Sequence, residues 1–191
     1  MKEQFEEFIY QRVKRAKEHE VREILYIFNE IKYKKGAIFK ERDTVSQRLG
    51  FLLTGSARSY FINEKGDEIT DEVLQSMNFI SDIISIRTNE QSPVIIEILV
   101  KSSLLVASLT DARELLNYNV TFNILIREYM GDRAMQLVKR HLLFLNGTAK
   151  QRYEYLLATN PSLLKEFPLR FIASMIGVTP TQLSRIRRGK S

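Results

Sequence analysis

Leu169-Arg-Phe-Ile-Ala-Ser-Met-Ile-Gly-Val-Thr-Pro-Thr-Gln-Leu-Ser-Arg-Ile-Arg-Arg188 has the spacing of a helix-turn-helix. Ala173 is small where two helices would cross, and Gly177, four residues on, supplies the positive φ that a tight turn needs. Ile172, Ile176 and Val178 are the expected core around the turn. Leu183 and Ile186, three apart, anchor the second helix from beneath. Thr179-Pro180-Thr181-Gln182 reads as a capping box with proline at the first helical position, so strong start chemistry falls where the second helix should begin.

The charge distribution points the same way. The chain has 29 basic and 23 acidic residues, net +6, but ten of the basic and only two of the acidic ones lie from Lys139 onward. From Leu169 there is no acidic residue at all. A basic block on a near-neutral body is the electrostatic footprint of a nucleic-acid-binding module, although a solvated basic tail would show the same excess. In a helix-turn-helix the second helix enters the major groove with its N-terminal residues at the base edges. Thr181, Gln182, Ser184 and Arg185 are therefore the expected base readers, Arg185 towards guanine and Gln182 towards adenine. Arg170, Thr179, Arg187, Arg188 and Lys190 are expected at phosphates, which position the protein without reading sequence.

Upstream, Thr148–Ala158 reads as a helix capped by Thr148 and ended by Asn160-Pro161. Asp111–Leu145 reads as one long helix without proline. Along it Ile124, Arg127, Gly131, Ala134, Val138, His141 and Leu145 repeat in threes and fours, as in the seam of a two-stranded coiled coil. A second apolar face holds Ile126, Met130, Leu137 and Phe144. Two apolar faces favour a homodimer, with Ile124, Gly131, Ala134, Val138 and Leu145 at its interface, over a helix buried in its own monomer.

Residues 3–31 carry helical spacing. Between them and the long helix lie short β-branched and aromatic segments: 37–39, 48–53, 57–62, 68–74, 79–86, 94–99 and 104–109. Turn clusters separate them at roughly ten-residue intervals, the pattern of a compact antiparallel barrel or sandwich. Residues 60–70 are the clearest hairpin, with Gly66 available for a positive φ.

Composition excludes several classes. With 191 residues, 44% apolar and 27% charged, the chain suits one large or two small globular domains. No apolar run approaches the ~20 residues that span a bilayer, so no membrane partner is expected. The charged, amphipathic start lacks the features of a signal peptide, and a cytoplasmic location follows as the simplest expectation. The absence of cysteine removes disulfides, thiolate zinc, cysteine-ligated iron–sulfur clusters and thiol catalysis. The glycosylation patterns at Asn119 and Asn146 carry no weight without secretion. His19 and His141 read as structural rather than as haem ligands. No nucleophile elbow, phosphate loop or zinc-protease motif is present, and the acidic pairs Asp67-Glu68 and Asp71-Glu72 read as solvated turn residues. Neither an enzyme nor a metal site is expected.

The order of these parts resembles the Crp/Fnr family of bacterial transcription regulators. The resemblance rests on Lys34–Phe39, Gly50–Tyr60 with Asn63–Thr70, Ala149–Tyr153 and Ile172–Ile186, and it spans nearly the whole chain. It implies an α+β fold: a β-roll sensor domain like the cyclic-nucleotide-binding domain (a double-stranded β-helix, 1–110 with its N-terminal helices), a long dimerisation helix (111–145) and a small all-α helix-turn-helix domain (146–191). It implies a homodimer that reads a two-fold-related operator in double-stranded DNA, with RNA polymerase and a small-molecule effector as further candidate partners. The implied effector pocket holds Ser81, Asp82 and Ser92, with apolar Leu137 and Val138 beside it.

Ser81-Asp82 stands where cyclic-nucleotide binders have Gly-Glu, and Ser92-Pro93-Val94 replaces the segment carrying the phosphate-binding arginine. Burying a phosphate without that arginine would leave its desolvation uncompensated, so cyclic AMP is not the expected effector and no cofactor is implied. The sequence stops just after the second helix of the motif, so the wing hairpin common in the family is expected to be missing. The competing reading is a ligand-binding or interaction module whose helix-turn-helix no longer reads DNA.

Overall fold

The computed structural model describes residues 2–161 and 163–189. The chain divides into two compact units, Met1–Phe61 with Val73–Met130, and Ile62–Glu72 with Gly131–Ser191. The fold is α+β. Helices α1 (Lys2–Arg12) and α2 (Glu18–Ile27) precede strands β1 (Asn29–Tyr33), β2 (Ile38–Lys40), β3 (Arg48–Thr54), β4 (Ser56–Ile62), β5 (Glu68–Gln75) and β6 (Asn78–Ile80). Helix α3 (Ile83–Thr88), strands β7 (Ile95–Ile98) and β8 (Ser102–Ser108), and helices α4 (Leu109–Tyr118) and α5 (Val120–Asn146) follow. The C-terminal helices are α6 (Ala149–Thr159), α7 (Leu163–Glu166), α8 (Leu169–Met175) and α9 (Pro180–Arg187). The strands form two four-stranded sheets, in the orders β1-β8-β3-β6 and β2-β7-β4-β5.

Strand β3, antiparallel to both β8 and β6, separates two cores. Its alternate residues face opposite ways, as the two-residue period of a strand requires. Leu52 joins Phe39, Ile80, Ile96, Ile98 and Leu104 in one core. Phe51 and Leu53 join the other with Phe5, Phe8, Phe28, Phe79 and Phe122. The Phe5 ring lies 4.4 Å from Phe51 and 5.1 Å from Phe28, which brings α1 onto the sheet. Such ring pairs contribute ~0.5–1.5 kcal/mol each beyond the area they bury. Gly50 is fixed by close approach: a Cβ there would sit 2.5 Å from Ile80 Cγ2.

Tertiary partners revise three of the expected elements. The helical stretch 3–31 is two helices and the start of a strand. Phe28 is extended and fully buried, and Asn29–Ile31 pair with Leu104–Val106 of β8. The segment 79–86 is a strand only to Ile80. Asp82 then caps α3 by accepting a hydrogen bond from Ser85 N, so the isoleucines at 83, 84 and 86 are helical. The stretch 111–145 is broken at Asn119. Its Oδ1 accepts from Phe122 N at 2.8 Å and starts α5, while its Nδ2 donates to Glu20 O and Glu23 Oε2 at 3.0 and 2.9 Å. The glycosylation-like asparagine is thus a buried helix-breaking cap.

Glu20 completes this junction. Its carboxylate is buried and accepts from Thr121 N at 3.2 Å and from the Thr121 hydroxyl. The hydroxyl bond is the chief cause that holds its pKa below the ordinary 4.5, and Lys17 adds to it against the opposing effect of burial. A carboxylate depressed in the folded state contributes stability above its unfolded pKa and loses it as pH falls through the folded value. Glu20→Gln is therefore expected to lower stability at pH 7 and to flatten its decline below pH 4.5, measured by urea unfolding across an acid pH series. An unchanged acid slope would show that Glu20 does not govern it.

Candidate nucleic-acid interface

The helix-turn-helix forms where its chemistry is local. Helix α8 ends in a Schellman motif: Gly177 N donates to Ser174 O and Val178 N to Ala173 O, both at 3.0 Å. Gly177 has φ +67°, and a Cβ there would approach Phe144 Cε1 to 3.1 Å. Helix α9 opens with the expected capping box, with Thr179 Oγ1 accepting from Gln182 N at 3.2 Å and Gln182 Oε1 from Thr179 N at 2.8 Å. Ala173, Ile172, Ile176 and Leu183 are buried together with Phe167, Phe171, Tyr153 and Leu156, while Val178 and Ile186 are half-buried.

Thr181, Gln182, Arg185, Arg187 and Arg188 are exposed on α9 and its C-cap. Arg185, Arg187 and Arg188 form no side-chain hydrogen bond or ion pair among the described residues, and α9 carries no acidic residue. Ser184 donates its hydroxyl to Pro180 O at 3.0 Å. Exposed Arg170 lies over the Phe171 ring at 5.1 Å. Lys190 lies outside the described residues.

Sequence reasoning missed the clamp on this unit. The tip of the β4–β5 hairpin, residues 62–72, belongs to it. Asn63 Oδ1 organises the tip by accepting from Lys65 N and Asp67 N, both at 2.9 Å, and Gly66 has the positive φ the hairpin requires. Thr70 N donates to Ser174 Oγ on α8 at 2.8 Å. Arg140 of α5 donates to Asp71 O at 2.9 Å and pairs with the Asp71 carboxylate, and Arg133 makes a two-pronged pair with Glu72. Asp71 and Glu72 are thus bound to arginines, not solvated turn residues as expected. Helix periodicity from Arg133 to Arg140 was the available signal, since both side chains stand on one face.

The residues expected in the effector pocket part company. Asp82 and Ser92 meet at a third residue, Lys40. Lys40 Nζ donates to Ser92 O and Val94 O at 2.8 Å each and lies 3.0 Å from Asp82 Oδ2, an ion pair rather than an aligned hydrogen bond. The side chains of Lys40 and Asp82 are 2% and 1% exposed. Ser81 instead lines an apolar groove with Leu49, Phe79, Leu109 and Tyr129. Leu137 and Val138 are exposed on α5 in the other unit.

Solved structures share this architecture. A doubly substituted CooA from Carboxydothermus hydrogenoformans superposes with a TM-score of 0.70 at 18% identity, over 87% of this chain and 77% of that one. FixK2 from Bradyrhizobium japonicum gives 0.69 at 17% identity, over 85% and 84%. A protein of Eubacterium rectale described as a transcriptional regulator of the Crp/Fnr family gives 0.68 at 18%, over 92% and 84%. The chain shares the fold of these structures. Neither a family model nor a curated protein matches the sequence. Among the described residues no helix is long and apolar enough to cross a membrane.

Gly177→Ala is expected to cost ~1–2 kcal/mol, because a left-handed conformation puts Cβ close to the following carbonyl oxygen. Thermal unfolding of the full chain followed by circular dichroism would read this as a lower Tm. An unchanged Tm would mean that the turn relaxes without strain.

Proposed function

We propose that the chain is a non-enzymatic, cytoplasmic transcription regulator of Crp/Fnr type, a homodimer that reads a two-fold-related DNA site through α9. The observation that carries this reading is Arg185, exposed and without an ion pair among the described residues, on a helix that opens with a capping box and bears no acidic residue. Arg185 is the reader that needs no rearrangement, its guanidinium fork matching guanine O6 and N7. Thr181 and Ser184 flank it. Gln182 keeps its Nε2 donor for a base while its Oε1 stays in the cap. Arg170, Thr179, Arg187 and Arg188 serve phosphates.

Dimerisation is supported by α5. From Gly131 onward Ala134, Met135, Val138, Leu142 and Leu145 are exposed along it. Beyond its own helix backbone, no group among the described residues lies within 4 Å of a Cβ built on Gly131, so a second backbone has room to approach there. Ile124, at the head of the expected seam, packs against the first unit's core, which leaves the seam to the residues from Gly131 on. Cyclic AMP is not the effector in this reading: Asp82, which stands where cyclic-nucleotide binders have glutamate, is already neutralised by Lys40. RNA polymerase is a further candidate partner of such a DNA-bound regulator.

Selection from a random duplex pool, followed by salt titration of the recovered sequence, tests the DNA reading. Enrichment of a two-fold-related site is expected, with affinity falling steeply with salt through counterion release. Arg185→Ala should cost ~1–3 kcal/mol at that site and relax specificity at one position per half. Equal losses on all sequences would reassign Arg185 to a phosphate. The Gly131→Glu, Ala134→Glu double variant is expected to sediment as a monomer; a surviving dimer would place the interface elsewhere.

A further inference from the structure

The first unit holds a groove of about 560 Å³ walled by β6, α3, α4 and the start of α5. That volume lies in the range of small-molecule sites, and the walls are largely apolar: Phe79, Leu109, Ala112, Leu116 and Ile126. Two cations, Arg87 and Arg113, line the same groove. Both are exposed. Arg113 Nη2 donates to Ile86 O at 2.7 Å, which ties α4 to α3 and fixes the guanidinium. Arg87 has no hydrogen bond or ion pair among the described residues, and no carboxylate lines the groove.

We propose that this groove binds a small amphipathic carboxylate, its apolar body against the Phe79 and Leu116 walls and its carboxylate between Arg87 and Arg113. An apolar wall alone would accept any hydrophobe. Two positive charges without an acidic counterpart select an anion, and the planar guanidinium fork matches a carboxylate in two-point contact. The site differs from the Asp82–Ser92 locus, whose polar groups are consumed by Lys40. It is also well placed to be felt: α3 begins at the Lys40–Asp82 pair, and Ile126 and Met130 lie on α5. Binding does not depend on the DNA reading, because it is measured on the free protein.

The full chain, labelled with 15N and 13C-methyl groups, is titrated with octanoate, 1-octanol or octylammonium. Octanoate is expected to shift the signals of Ala112, Leu116 and Ile126 saturably, and more tightly than either control. The Arg87→Gln variant changes only an exposed side chain, leaves the Arg113–Ile86 tie in place and should fold. It is expected to weaken octanoate at least tenfold and leave 1-octanol unchanged. Met130→Trp, which fills the groove's mouth, should weaken all three probes. Absence of saturable shifts, or equal affinity for all three probes in the parent chain, overturns the proposal. Shifts of the same signals on diluting the protein without any probe would overturn it too, by marking the groove as an interface between copies.

Discussion

A lysine ammonium and an aspartate carboxylate, both removed from water, set the arrangement of the first unit's interior. Each buried ion costs several kcal/mol of hydration, which only near-complete coordination offsets. Lys40 achieves it with the Ser92 and Val94 carbonyls and the Asp82 carboxylate. Asp82 uses its second oxygen to cap α3, so the pair joins β2, the start of α3 and the approach to β7 in one polar knot. From that start α3 runs to Ile86, whose carbonyl holds Arg113 of α4. A polar contact within the β-roll thereby fixes the walls of an apolar groove.

In the second unit electrostatics works by cancellation. Asp71 and Glu72 would repel a polyanion if left free. Arg140 and Arg133 neutralise them, and the Thr70–Ser174 bond joins the same strand to the first helix of the motif. These arginines are therefore committed inside the unit. The cations left to meet phosphates are fewer than the count of basic residues suggests, and they concentrate on α9 and its end, which sharpens the field where base reading would occur.

The helix-turn-helix was fully legible in the sequence because its determinants are local: a glycine at a positive φ, a threonine cap and the glutamine that answers it lie within six residues. The strands were legible for the same reason, from alternation and turn chemistry. The misread elements depended on distant partners. Asn119 breaks the expected long helix because its amide binds Glu20 and Glu23, about a hundred residues earlier. Asn29–Ile31 leave the helical pattern because β8 offers a ladder. The pocket residues were placed by resemblance alone. Nothing in the neighbourhood of Ser81 or Ser92 points to Lys40, so the ion pair that occupies Asp82 could not be read.

The buried ammonium has a kinetic side. Its acceptors arrive late: the Ser92 carbonyl lies 52 residues beyond Lys40. A partly collapsed chain that covered Lys40 before β7 had docked would trap a bare charge in an apolar interior. Loop closure must come first, and its entropic cost is met only when the whole polar knot forms at once. Half-closed rolls are therefore expected to be poor resting points along the folding path, so that closure of the β-roll is expected to be cooperative.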